Sequence, residues 1–212
     1  MYRSTINLLK MISALFILGC SSITLAAGNG EYIRISEYLS LYPEQKNKIE
    51  RFSSVVRNPA KPLKKSLKNP VKIAVIYPAE QSSDYWLRSV STLEARLKEL
   101  NITYQLNTFY SRPSVDIELQ STQLRDALHW QPDYLIFTLD ATRHQAMIER
   151  ILLKGKPRLI LQNITTPLSR WQSLRPFLYT GFDHETGTLK LANAMSAHSP
   201  EGKYAMLYFS PG

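Results

Sequence analysis

The chain has 212 residues, with 26 Lys and Arg against 17 Asp and Glu and a single Cys, a length that allows one ordinary domain or two small lobes around a real core. The balance is basic, but the cations do not interleave with aromatic residues and no recognition motif accompanies them, which argues against nucleic acid as a partner.

The first thirty residues, MYRSTINLLKMISALFILGCSSITLAAGNG, place Arg3 and Lys10 ahead of an apolar run from Met11 to Gly19 and then small residues. The uncharged core is too short for a comfortable membrane span, so it reads as a secretory signal over residues 1–26 and the mature protein as exported. Two processing sites compete. Ile17-Leu18-Gly19-Cys20 is an imperfect lipobox, and Thr24-Leu25-Ala26 suits an ordinary cut after Ala26, which leaves a mature chain with no cysteine and no disulfide.

Residues 27–71 read as a helical extension and a basic linker. Tyr32, Ile35, Tyr38, Leu39 and Tyr42 recur at helical spacing until Pro43, and a second amphipathic helix is expected from Glu44 to Val56, the pair docking on a core. The linker RNPAKPLKKSLKNPVK carries six cations, no acid and three prolines, the composition of a surface strap.

At Lys72 the pattern becomes regular. KIAVIY reads as a buried strand, followed by a helix from Asp84 to Leu100 with Leu87, Val90, Leu93, Leu97 and Leu100 on one face. ITYQLNTFY from Ile102 is a second strand, and Ser114 is expected to cap a helix through Ile117, Leu124, Ala127 and Leu128. YLIFTLD from Tyr134 is the third, with Thr142 and Gln145 as a capping box for the helix that follows. Gly155 and Pro157 end that helix, and RLILQN from Arg158 is the fourth strand.

Strands separated by helices of this length imply an α/β fold, a doubly wound parallel sheet with helices on both faces, because each parallel pair needs a crossover. Residues 72–164 form this first lobe. ITTPLSRWQSLRP breaks the pattern, so 165–176 read as a hinge and 177–212 as the start of a second lobe: a strand in FLYTGFD, a helix from about His184 to Ala197, and a last strand in KYAMLYF. One βα unit and a strand do not cover two faces of a sheet, so the sequence reads as a fragment.

In an open parallel sheet, ligands bind beyond the carboxyl ends of the strands, where helix amino termini present free N–H groups. That rule brings together Gln81, Ser83, Trp86, Asp140, Thr142, Asn163 and Thr165: hydroxyls and amides for directional hydrogen bonds and an indole to pack against a ring. Each also has a plain structural role open to it. Ser83 serves as a cap, Asn163 closes a turn and Trp86 fills the core. Catalytic signatures are absent: there is no Gly-rich phosphate loop and no Gly-x-Ser-x-Gly elbow, and His129, His144, His184 and His198 lack metal-ligand spacing. Asp183-His184-Glu185 at a helix start fits capping and dipole compensation. The expectation is a binding protein, not an enzyme, with no metal and no cofactor.

The segments VIYPAEQSSDYWLR, YLIFTLDATRH, LILQNITTP and FLYTGFDHETG, with RPSVDIELQS between them, resemble the LuxP-type autoinducer-2-binding periplasmic proteins of the type I periplasmic binding protein superfamily, from about residue 32 onward. The resemblance implies two lobes closing on a furanosyl borate diester, a boron-containing small molecule, and a complex with the periplasmic domain of a membrane sensor histidine kinase. It implies ligand contacts from Gln81, Ser83, Trp86 and Asn163. The family takes positive charge from second-lobe arginines, for which neither Arg143 nor Arg175 is a substitute. Two other readings stay open: a receptor delivering a pentose-like sugar to an uptake transporter, and an adaptor whose amino-terminal helices contact a sensor without ligand.

Overall fold

The computed structural model describes residues 33–65, 67–78, 84–112, 116–138, 144–162, 168–171 and 174–205. The signal segment lies outside these residues, and no helix among them is long and apolar enough to cross a membrane.

Two helices come first, α1 (Ile35–Leu41) and α2 (Glu44–Arg57), separated at Pro43 as the spacing predicts. Arg175 holds this pair from the far end of the chain. Its guanidinium lies 3.4 Å from the centre of the Tyr42 ring, and its Nη1 is 3.9 Å from Glu44. Arg96 of the next helix donates to the Asn58 carbonyl at 3.0 Å, and the Leu63 N–H donates to the Leu100 carbonyl at 2.9 Å, which fixes the start of the strap.

The central units then run β1 (Val71–Pro78), α3 (Tyr85–Glu99), β2 (Tyr104–Ser111), α4 (Ile117–His129), β3 (Tyr134–Thr138), α5 (Gln145–Lys154), β4 (Arg158–Gln162), β5 (Leu178–Thr180) and α6 (His184–His198). Every strand pair is parallel, in the order β2-β1-β3-β4-β5. The fold is therefore the α/β doubly wound sheet that the strand and helix spacing requires.

Alternation along the strands assigns the two faces. Ala74, Ile76, Leu135, Phe137, Leu159 and Leu161 point to one side and pack with Leu124 and Ala127 of α4 and Ile148 and Ile151 of α5. Ile73, Val75, Tyr77 and Ile136 point to the other and pack with Trp86 and Leu97 of α3. Apolar runs without polar interruption are what a strand covered on both faces demands.

Helix ends follow local chemistry. Gly155 closes α5 in the left-handed conformation at φ 66°, as expected from its position. Asp183 caps α6, its Oδ1 accepting from the Thr186 N–H at 2.9 Å, which is the role expected of it. The expected caps Ser114 and Thr142 lie outside the described residues, and Asp116 and His144 stand at those helix starts instead.

Asp116 accepts hydrogen bonds from the Arg112 side chain (2.9 Å from Nε and from Nη2) and from its backbone N–H (3.0 Å). These hold its carboxyl below the usual value of 3.8, the side-chain bonds contributing most. A depressed folded pKa gives stability that is present above the unfolded value and lost as pH falls through the folded one. Acid titration of thermal stability below about pH 4 should therefore be steeper in the wild type than in Asp116→Asn; identical acid limbs would remove the linkage.

One expectation is corrected. The strand expected to open a second lobe is the edge strand of this same sheet, because Leu178, Tyr179 and Thr180 pair with Ile160, Leu161 and Gln162. Part of the expected hinge also packs on the sheet: Leu168 and Trp171 are buried in the α4/α5-side core. Residues 203–205 are irregular, and the remainder of the expected last strand lies outside the described residues.

Candidate functional site

The strand order reverses between β1 and β3, the crevice where open parallel sheets receive ligands beyond their carboxyl ends. A polar row crosses the sheet there. Tyr77 is in register with Tyr110 on one side, and the pairing of Ile76 with Phe137 brings Thr138 beside it on the other. Thr138 pairs with Gln162, and Gln162 with Thr180. By strand alternation these residues share the α3 face, one step beyond Val75, Ile136 and Ile160.

The row is internally connected. The Tyr77 hydroxyl donates to Gln162 Oε1, spanning the end of β3. Burial pushes the Tyr77 phenol well above its ordinary range, so it stays a neutral donor at any physiological pH. Thr138 is buried, and its Oγ1 has no hydrogen-bond partner among the described residues. A buried hydroxyl with free hydrogen-bonding capacity at a strand end is a costly feature for the fold alone.

Trp86 covers one end of this row. It stands on the first turn of α3, its ring centre 4.6 Å from that of Tyr77 at a 44° tilt and 4.8 Å from that of Tyr85, edge-on at 82°. It is only 5% exposed and belongs to the core on that face. The indole is thus a core residue at the rim, and the plain structural role of Trp86 is realised whether or not a ligand also meets it.

Gln81, Ser83 and Asn163 lie outside the described residues, as do Asp140, Thr142, Arg143 and Thr165. The strands that precede them in the chain, β1, β3 and β4, end at Pro78, Thr138 and Gln162. His144 is 1% exposed and edge-on to Phe137 at 5.7 Å, in the α4/α5-side core on the opposite face of the sheet from the row. No group of three or more His, Cys, Asp or Glu that could hold a metal occurs among the described residues. Arg175 lies over the Tyr42 ring and beside Glu44.

Tyr77, Thr138 and Gln162 were not singled out as site residues by the sequence reading. Their signal was present in the alternation: KIAVIY, YLIFT and RLILQ each end an apolar run with a polar group on the same face. A search against protein-family models finds none that matches this chain.

Proposed function

We propose that the chain is a LuxP-type periplasmic receptor that binds autoinducer-2, a furanosyl borate diester, at the carboxyl rim of its sheet and reports it to a membrane sensor kinase. Gln81, Ser83, Trp86 and Asn163 are its proposed first-lobe contacts. The observation that carries the reading is the row Tyr77–Thr138–Gln162 beside Trp86 at the β1/β3 switch point. An oxygen-rich, anionic ring is matched by neutral donors, amides and one flat apolar wall.

Titration with the signal molecule, with and without borate and with ribose as control, tests this in wild type and Thr138→Val. Borate-dependent binding is expected, weakened about tenfold by removal of one buried hydroxyl contact. The same substitution should leave ligand-free thermal stability unchanged or raised, because a buried hydroxyl with no partner among the described residues is removed. Borate-independent binding that favours ribose would replace the signal receptor with a sugar-uptake receptor. Unchanged affinity in Thr138→Val would remove the row from the site.

A further inference from the structure

Helix α2 has no buried residue. Ile49, Phe52 and Val56, spaced three and four apart, are 50%, 49% and 52% exposed, and Val55 beside them is 66% exposed. An amphipathic helix ordinarily turns such a stripe inward. The strap that follows continues the pattern: Leu63 and Leu67 are partly exposed, and Arg57, Lys61, Lys64, Lys65 and Lys68 have no ion-pair partner among the described residues. No acid occurs between Arg57 and Lys72.

We propose that α2 and the strap form a docking surface for an anionic lipid bilayer, with the aliphatic and phenyl groups entering the headgroup boundary and the lysines lying over acidic headgroups. The charge pattern separates this occupant from an acidic protein. Four of the five strap cations are lysines, compact point charges on flexible stems, spread along a proline-broken segment. That suits a diffuse negative surface, whereas recognition of placed carboxylates favours the bidentate fork of arginine. The exposed apolar groups contain no Trp or Tyr of the kind that anchors protein interfaces. Apolar insertion and electrostatic attraction then act together, as in interfacial helices. The anchoring of the strap and α2 to α3 through Leu63, Asn58 and Arg96 presents both on a fixed part of the fold.

The test uses a local readout on α2, so that association through the apolar segment Met11–Gly19 is told apart from docking of this surface. An environment-sensitive dye is attached at Val55→Cys in a Cys20→Ser background, and the protein is mixed with phosphatidylcholine vesicles with or without phosphatidylglycerol. A blue shift on the anionic vesicles only is expected. It should be reversed at roughly 0.5 M salt, where screening shortens to a few ångströms. It should require at least about a thousandfold more lipid when Lys61, Lys64, Lys65 and Lys68 are all changed to Glu. An equal response on neutral vesicles, no response on anionic ones, or a response unaffected by the four reversals overturns the proposal. So does a shift produced only by envelope proteins freed of lipid, which assigns the surface to a protein partner.

Discussion

Trp86→Ala should cost about 3–5 kcal/mol of unfolding free energy, the range for deleting a large buried aromatic side chain. Such a loss is a large share of the ~5–15 kcal/mol that stabilises an ordinary domain. The indole is 5% exposed and packs with Tyr77, Val75 and Leu97 on the α3 face, so its removal opens a cavity beneath the first turn of α3. Trp86→Phe keeps a ring against Tyr77 and should lose less than half as much. Urea unfolding followed by circular dichroism measures both. A loss below about 1 kcal/mol for the alanine variant would mean that the indole is peripheral to the core. The two variants also separate two effects on ligand: an unfolded alanine variant says nothing of contact, whereas a folded phenylalanine variant with weakened binding does.

Trp171→Ala should have an effect of similar size, about 3–5 kcal/mol, on the opposite side of the sheet. Trp171 follows the break after β4 in a short 3-10 turn, Ser169–Trp171, and is 2% exposed. It stacks on Tyr179 of β5 with ring centres 6.5 Å apart, and its Nε1–H donates to Glu149 of α5 at 3.0 Å. One side chain therefore joins the returning segment, a helix and the edge strand. Tyr179 is half-buried, and partial burial raises its phenol above the ordinary range. Loss of the indole should expose β5 first, because that strand holds the sheet through three residue pairs only. Hydrogen exchange at Leu178–Thr180 in a still-folded Trp171→Phe variant reads this directly. Protection unchanged there, together with a small loss in the alanine variant, would show that the turn is not what fastens β5.

The strands were legible because a parallel strand covered on both faces needs a near-continuous apolar run, and the runs that begin at Lys72, Tyr134 and Arg158 meet that need. Gly155 and Asp183 were legible as helix punctuation because their conformational and hydrogen-bonding roles are local. The edge strand was not. Leu178–Thr180 is three residues long and carries no periodicity of its own, and the preceding Pro- and Ser-containing segment looked like a hinge although Leu168 and Trp171 within it face the core. Burial of two apolar residues in an otherwise polar stretch is a tertiary event, set by the space beside α5 and β5. Sequence rules pointed to the carboxyl rim of the sheet, where Trp86 stands on the first turn of α3. The row Tyr77, Thr138 and Gln162 depends on strand register, which no single strand contains.

The most direct measurement uses the three tryptophans, Trp86, Trp130 and Trp171, as built-in reporters. Their indole N–H signals in a two-dimensional nitrogen–proton spectrum are assigned by single Trp→Phe substitutions and followed during titration with the borate-containing signal molecule. Trp86 should shift progressively and saturate. Trp130, which follows α4 beside the opposite end of β1 with the Lys72 ammonium over its ring, should stay in place. A saturating shift of Trp86 with Trp130 still would place the ligand at the carboxyl rim of the sheet. No shift of Trp86, or movement of Trp130 in its stead, would contradict a ligand site at that rim.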